Sequence, residues 1–290
     1  MNTVSYTRRG TEVSRFSKNC DKRLPMASTT KIMTGLLLCE HGNLNREITV
    51  TDEMVRVEGS SMGLLEGDIV SFEALLYGMM LPSGNDAANT AAIAMAGSLE
   101  SFALMMNKKA AEIGMDNTNF VTPSGLDADE HYSTARDMAK LAVYAMKNPI
   151  FAQTVSSKTV RIGDRSLRNH NKLLWQVEGA DGVKTGYTKA AGRLLVSSAI
   201  RSGRRLIAVT INDGNDWIDH ETLLEEGFSR YTLRQILSAG DPVGSVAVLG
   251  GKQKRVRLLA GQDVSYPLAQ DEQVSILLSG PGFAYAPVVA

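Results

Sequence analysis

The order in which hydrophobic periodicities follow one another is the tightest constraint on this chain. Strand-like alternation stands at both ends of a long region whose middle repeats at the helical period. Val4 to Thr7 and Thr11 to Phe16 alternate around a basic turn ending at Gly10, which reads as a β-hairpin. From Ser28 onward Ile32, Met33, Leu36, Leu37 and Cys39 recur at helical spacing until His41-Gly42-Asn43 stops them. Further helices are expected over Phe72 to Met80, Asp86 to Ala96, Leu99 to Ile113 and Ala135 to Met146, each closed by Gly, Pro or Asn signals. Strand chemistry returns at Gly182 to Tyr187, Leu194 to Ile200 and Leu206 to Ile211, and a final helix of about Trp217 to Leu237 would cover one face. Such an order predicts a mixed α+β domain, its sheet closing between the first hairpin and the later strands. After Ala239-Gly240-Asp241-Pro242 the texture changes to short apolar runs at Gly244 to Leu249, Val256 to Leu259 and Val274 to Leu278. The expected organisation is a main domain over 1–240 and a small all-β appendage over 241–290.

Composition narrows the function classes. Lys plus Arg, at 31, balances Asp plus Glu, at 31, and no dense basic run is present, so no field draws the chain to nucleic acid. Cys20 and Cys39 lack metal-ligand spacing and are not expected to pair, and His41, His131, His170 and His220 read as hydrogen-bonding or surface residues. No metal and no cofactor are expected. The thirteen methionines, Met79-Met80 and Met105-Met106 among them, fall at helix-core positions and read as packing. No stretch reaches the ~20 apolar residues of a membrane span, and Met1 to Gly10 is too polar for the apolar core of a signal peptide. The chain is therefore expected to behave as a soluble protein.

Three short motifs carry the chemistry. In Ser28-Thr29-Thr30-Lys31, residues three apart on a helix share a face, bringing a hydroxyl and an amine within hydrogen-bond reach. A serine hydroxyl is a weak nucleophile until a base removes its proton, and a lysine serves once burial lowers its pKa. Alone, the spacing is common and such a lysine is usually solvated. Ser83-Gly84-Asn85 follows Leu81-Pro82 between two helices, where two polar side chains can face a cleft, although Ser and Asn also simply cap helices. Lys184-Thr185-Gly186, on a strand, offers a cation, a hydroxyl and a residue that admits close backbone approach; alone it reads as an exposed strand. What discriminates is the ordered set, SxxK on a helix, SxN on a loop and KTG on a strand, the signature of penicillin-recognising serine enzymes.

Longer matches sharpen this. Leu24 to Thr34 (LPMASTTKIMT), Leu81 to Ala88 (LPSGNDAA) and Asp181 to Thr188 (DGVKTGYT) resemble the low-molecular-weight penicillin-binding proteins, specifically the D-Ala-D-Ala carboxypeptidases. Pro123-Ser124-Gly125-Leu126, His131 to Ala135 and Asn169 to Leu174 extend the resemblance over residues 4 to 237, and a β-rich C-terminal domain is common in that family. The resemblance implies a penicillin-binding-protein/β-lactamase-like transpeptidase fold, an antiparallel sheet flanked by helices. It implies removal of the terminal D-alanine from peptidoglycan stem peptides ending in D-Ala-D-Ala through an acyl-enzyme, with β-lactams as covalent inhibitors. Carried onto this chain, Ser28 is the nucleophile, Lys31 deprotonates it, and Ser83 relays a proton to the leaving D-alanine. Asn85 holds the substrate amide, Lys184 positions the relay, and Thr185 contacts the terminal carboxylate. Gly186 lets the strand approach, and the Tyr187 and Ser28 backbone N–H groups form the oxyanion hole, where one donor is worth roughly 3 kcal/mol.

Other readings stay open. A DD-endopeptidase would cut the same type of bond, and an inactive penicillin-binding sensor or cell-wall binding module would share the fold. A class A β-lactamase would add a glutamate in an ExxLN pattern, which is missing between the second and third motifs. Some relatives carry an arginine downstream of KTG that helps bind the carboxylate, but Asn212 to Trp217 contains none, leaving that contact unassigned. An extracytoplasmic location in the cell envelope, a peripheral membrane association of a longer form, and a monomeric state complete the expectations.

Overall fold

The two strand-forming ends of the N-terminal region meet in one sheet. In the computed structural model, which describes residues 2–8 and 13–286, the chain opens with β1 (Asn2–Arg8) and β2 (Val13–Lys18), then a 3-10 turn, Ala27–Thr30, leads into α1 (Lys31–His41). There follow β3 (Glu47–Thr49), α2 (Asp52–Val55), β4 (Ile69–Ser71), α3 (Phe72–Met80), α4 (Asn85–Ala96), α5 (Leu99–Ile113), α6 (Ala135–Ala145) and α7 (Pro149–Ser156). A hairpin of β5 (Thr159–Ile162) and β6 (Arg165–Arg168) and the short α8 (Leu173–Gln176) precede β7 (Ala180–Thr188), β8 (Gly192–Arg201) and β9 (Arg204–Ile211). The five-stranded sheet has the order β2-β1-β9-β8-β7, with every neighbouring pair antiparallel. The hairpin is thus the outer pair on one side, its turn lying outside the described residues, while β7 forms the opposite edge.

The helical middle owes its boundaries to the cap residues. Ser71, Ser98 and Thr134 accept a backbone N–H in the first turns of α3, α5 and α6, and Asn148 caps α7 ahead of Pro149. Gly97 and Gly114 close α4 and α5 in the left-handed conformation. Apolar almost all round, α1 is buried from Lys31 to Cys39 and forms the centre of the core. Both cysteines are buried free thiols.

The chain divides into two compact units, Met1–Gly227 and Phe228–Ala290, so the boundary expected at 240 falls inside the second. The last helix, α9 (Asp216–Arg230), stops short of the expected Leu237. Residues 232–237 instead form β10 (Thr232–Leu237), followed by β11 (Pro242–Leu249), β12 (Arg255–Leu259), β13 (Val264–Leu268) and β14 (Phe283–Tyr285). β10 pairs with β13, and β12-β11-β14 make a second small sheet. Ladder pairing with β13 outweighs the helical pattern of Leu233, Ile236 and Leu237. Val274 to Leu278, expected as a strand, carries none; Leu277 is 92% exposed there, and the run has no ladder partner. Among the described residues no helix is long and apolar enough to cross a membrane.

Candidate active site

Ser28 sits half-buried in the 3-10 turn, one turn before Lys31 opens α1. The turn is held from both sides. The Thr29 hydroxyl and N–H both donate to the Met26 carbonyl, at 2.6 and 3.2 Å, and Leu24 exchanges backbone hydrogen bonds with Ser133. Lys31 is fully buried, and its Nζ lies 2.9 Å from Ser28 Oγ, 2.7 Å from Asn85 Oδ1 and 2.6 Å from the Ser124 carbonyl. Burial, then the Lys184 charge, holds this amine well below its ordinary pKa. The partner set suits the neutral form. Asn85 Oδ1 and the Ser124 carbonyl can only accept, so they take both N–H groups, and the lone pair is left for the Ser28 O–H.

The second motif occupies the turn between α3 and α4. Ser83 adopts a left-handed φ of 68° and is buried, and Gly84 N–H donates to the Gly78 carbonyl. Asn85 Nδ2 donates to the Glu58 carbonyl at 2.6 Å, which fixes its amide orientation and aims Oδ1 at Lys31. One N–H and one lone pair of Asn85 remain. Next along α4, the Asp86 carboxylate gathers the backbone N–H groups of Met62, Gly63 and Leu64 and the Ser61 hydroxyl. This clamp fixes the loop that carries Ser60.

The third motif lies on β7, at the open edge of the large sheet. Lys184 is buried, Nζ donating to the Thr185 carbonyl at 3.0 Å, and burial lowers its pKa to about 7. Gly186 passes over the Ser28 turn, and Tyr187 is 66% exposed beyond it. Ser28, Ser83, Thr185, Gly186 and Tyr187 line one cleft of about 500 Å³, which Ser60, His170, Arg193, Leu194, Asp216 and Trp217 complete. Lys31, Asn85 and Lys184 stand behind that wall. Three segments distant in sequence thus converge on one hydroxyl. Among the described residues no cluster of three or more His, Cys, Asp or Glu side chains could hold a metal.

The family model for D-alanyl-D-alanine carboxypeptidases matches residues 15–215, a span that contains every one of these groups except the α9 residues Asp216 and Trp217. The chain belongs to this carboxypeptidase family. A second model, the C-terminal domain of penicillin-binding protein 5, matches residues 231–277. The D-alanyl-D-alanine carboxypeptidase DacF of Bacillus subtilis is 33% identical over 279 residues, 90% of this chain and 70% of its own length. DacB2 of Mycobacterium tuberculosis is 36% identical over 217 residues, 71% of this chain and 74% of its own. Among solved structures, penicillin-binding protein 5 from Haemophilus influenzae superposes with a TM-score of 0.84 at 30% identity, covering 94% of this chain and 83% of that one. The expected transpeptidase fold with a β-rich C-terminal part is therefore the observed one.

Several site residues of this carboxypeptidase-family chain carry no signal of their own in the sequence. Ser124 lies in one of the stretches that extend the resemblance, but it acts through its carbonyl, a role that its residue type does not state. His131, read as a hydrogen-bonding or surface residue, is buried and accepts the Val121 N–H at Nδ1 (2.9 Å), so Nε2 carries the proton and donates to Thr30 Oγ1 (2.9 Å). It thereby ties the Ser124 loop to the helix of Lys31. Arg193, Asp216 and Trp217 reach the cleft only because β8 and α9 are neighbours in space.

Proposed function

We propose that this chain is a serine D-Ala-D-Ala carboxypeptidase that removes the terminal D-alanine from peptidoglycan stem peptides and is acylated by β-lactams at Ser28. The observation that carries the reading is the fully buried Lys31, whose amine meets Ser28 Oγ at 2.9 Å. Lys31 takes the hydroxyl proton as Oγ bonds to the penultimate D-alanine carbonyl carbon. The Ser28 and Tyr187 backbone N–H groups, brought together across Gly186, donate to the oxyanion that forms. Collapse of this intermediate breaks the C–N bond, and the proton held by Lys31 passes through Ser83 to the departing amine. Water then attacks the Ser28 ester by the same route and releases the shortened peptide.

Thr185, at the cleft wall, receives the terminal carboxylate, and Gly186 keeps β7 close enough for an extended peptide to lie along its free edge. Asn85 orients Lys31, and its spare N–H reaches the substrate amide. Lys184 lowers the Lys31 pKa through its charge and steers the proton path. We assign the work to the N-terminal part, 1–240, in the cell envelope as a monomer, with a peripheral membrane association of a longer form.

Intact-protein mass spectrometry after incubation with benzylpenicillin, followed by a D-alanine release assay on a peptide ending in D-Ala-D-Ala, tests this. A single adduct absent from Ser28→Ala, together with D-alanine release, is expected. An adduct without release points to an endopeptidase or sensor. A stable adduct on Ser28→Ala would overturn the nucleophile.

A further inference from the structure

Among the described residues that line the cleft, the hydroxyls of Ser28, Ser60, Ser83, Thr185 and Tyr187 are joined by a single guanidinium, that of Arg193. Arg193 is paired directly with Tyr187 across the β7–β8 ladder, and Thr185 with Leu195. Directly paired residues share a face of the sheet, as do residues two apart on a strand, so Arg193 stands diagonally from Thr185 on the same face. That diagonal is about 7–8 Å between backbones, well within the span of an arginine side chain.

The guanidinium is held from one side. Asp216, 3% exposed at the start of α9, accepts both Nε (3.1 Å) and Nη2 (2.6 Å) of Arg193 on Oδ1, and the Trp217 ring lies 5.9 Å from the guanidinium carbon. Nη1 has no hydrogen-bond partner among the described residues, and the Arg193 side chain is 43% exposed. Asp216 offsets the charge but leaves Nη1 of the planar fork unused, on a side chain that lines the cleft. Lys31 and Lys184 are buried behind the wall, and Lys172, whose Nζ lies 5.8 Å from the Trp217 ring, is not among the residues that line the cleft.

We propose that Arg193, braced by Asp216, binds the terminal carboxylate of the substrate together with the Thr185 hydroxyl. This rests on the carboxypeptidase reading, in which the group entering that end of the cleft is an anion. It assigns the carboxylate contact to the strand after the KTG strand rather than to the segment 212–217. Arg193 then discriminates peptides with a free C-terminus from those whose terminus is blocked.

The test compares wild-type full-length chain with Arg193→Gln and Arg193→Lys on a diacylated Lys-D-Ala-D-Ala peptide and on its C-terminal amide. For Arg193→Gln, kcat/KM on the acid falls about 10- to 100-fold, the loss of a charge-assisted hydrogen bond. The amide changes by less than about 3-fold, and Arg193→Lys recovers part of the loss. Equal losses on both peptides would mean that Arg193 only braces the α9 corner, and no loss on the acid would equally overturn the proposal. Acylation rates with benzylpenicillin and its methyl ester repeat the comparison without requiring D-alanine release. If the wild type is acylated but releases no D-alanine, the carboxypeptidase reading fails while the acid-to-ester ratio still decides the role of Arg193.

Discussion

A Cβ added to Gly186 would lie 3.3 Å from the backbone nitrogen of Ser28 and 3.2 Å from that of Thr29. The KTG strand therefore lies against the Ser28 amide, and that closeness would set the spacing of the two backbone N–H groups proposed as oxyanion donors. Thr29 N–H is tied to the Met26 carbonyl, so the turn cannot swing aside freely. Gly186→Ala is expected to slow acylation by benzylpenicillin about tenfold or more while costing under about 1 kcal/mol of stability. Adduct formation followed by mass spectrometry, with urea unfolding alongside, separates the two effects. An unchanged acylation rate would show that the strand can retreat without harm.

Gly125 is more tightly constrained. Its φ is +86°, and a Cβ there would come within 1.8 Å of the Ala27 carbonyl oxygen, backbone against backbone. Gly63 has a similar φ of +82° and nothing within 4 Å. Gly63→Ala should cost only the left-handed strain, about 1 kcal/mol, whereas Gly125→Ala should cost roughly 3 kcal/mol or more because the Ser28 turn must move. Paired urea titrations decide this, and equal costs would show the 121–125 loop to be easily displaced.

Asp86 predicts an unusual asymmetry between charge and shape. Its two oxygens face only donors, namely three backbone N–H groups and the Ser61 hydroxyl from the loop, with the Ala87 N–H added. Asp86→Asn would turn an NH2 toward one side of that set, leaving buried donors unpaired, so the isosteric change should cost about 2–4 kcal/mol in chemical denaturation. A loss below about 0.5 kcal/mol would mean the loop is held by packing alone.

With Lys31 as the proposed base and Lys184 as its proposed charged partner, the acylation rate is expected to depend on pH in both directions. The base form of Lys31 is neutral, so loss of its proton, eased by burial, should raise the rate with pH, whereas loss of the Lys184 proton, near pH 7, should lower it. Because the pair is coupled, the limbs belong to the two amines together. The Lys184 charge lowers the Lys31 pKa, so Lys184→Met should move the ascending limb to higher pH and slow acylation at pH 7. A limb that stays in place would show that the two amines do not sense each other.

The parts of this protein that were legible in the sequence are those where one local pattern suffices. The helical periods of Phe72 to Met80 and Leu99 to Ile113 end at their own local stop signals and match the observed helices, and the three motifs state their chemistry within a few residues. The helix of α9 misled beyond Arg230, because Leu233, Ile236 and Leu237 repeat at a helical spacing while a partner strand 30 residues away decides the pairing. The carbonyl of Ser124 and the guanidinium of Arg193 were invisible for another reason. One contributes backbone, and the other matters through an ion pair with a helix that the sheet brings alongside.

Two buried histidines set the response to acid. His220 is fully buried, hydrogen-bonded to Ser197 Oγ at 2.6 Å and Thr210 Oγ1 at 3.0 Å, and joins α9 to β8 and β9; burial lowers its pKa to about 3. His131 is lowered by burial to about 4, and a proton on its Nδ1 would confront the Val121 N–H. Free imidazole in the unfolded chain binds its proton near pH 6.5, so between there and pH 4 the unfolded state holds more protons than the fold. The stability of the neutral histidines is therefore present above pH 6.5 and lost as pH falls through that window, at up to about 1.4 kcal/mol per pH unit for each. His220→Asn should be less stable than wild type at pH 7 yet lose less between pH 7 and pH 5, measured by urea unfolding at both. Parallel losses in the two proteins would move the acid sensitivity away from His220 and onto other groups.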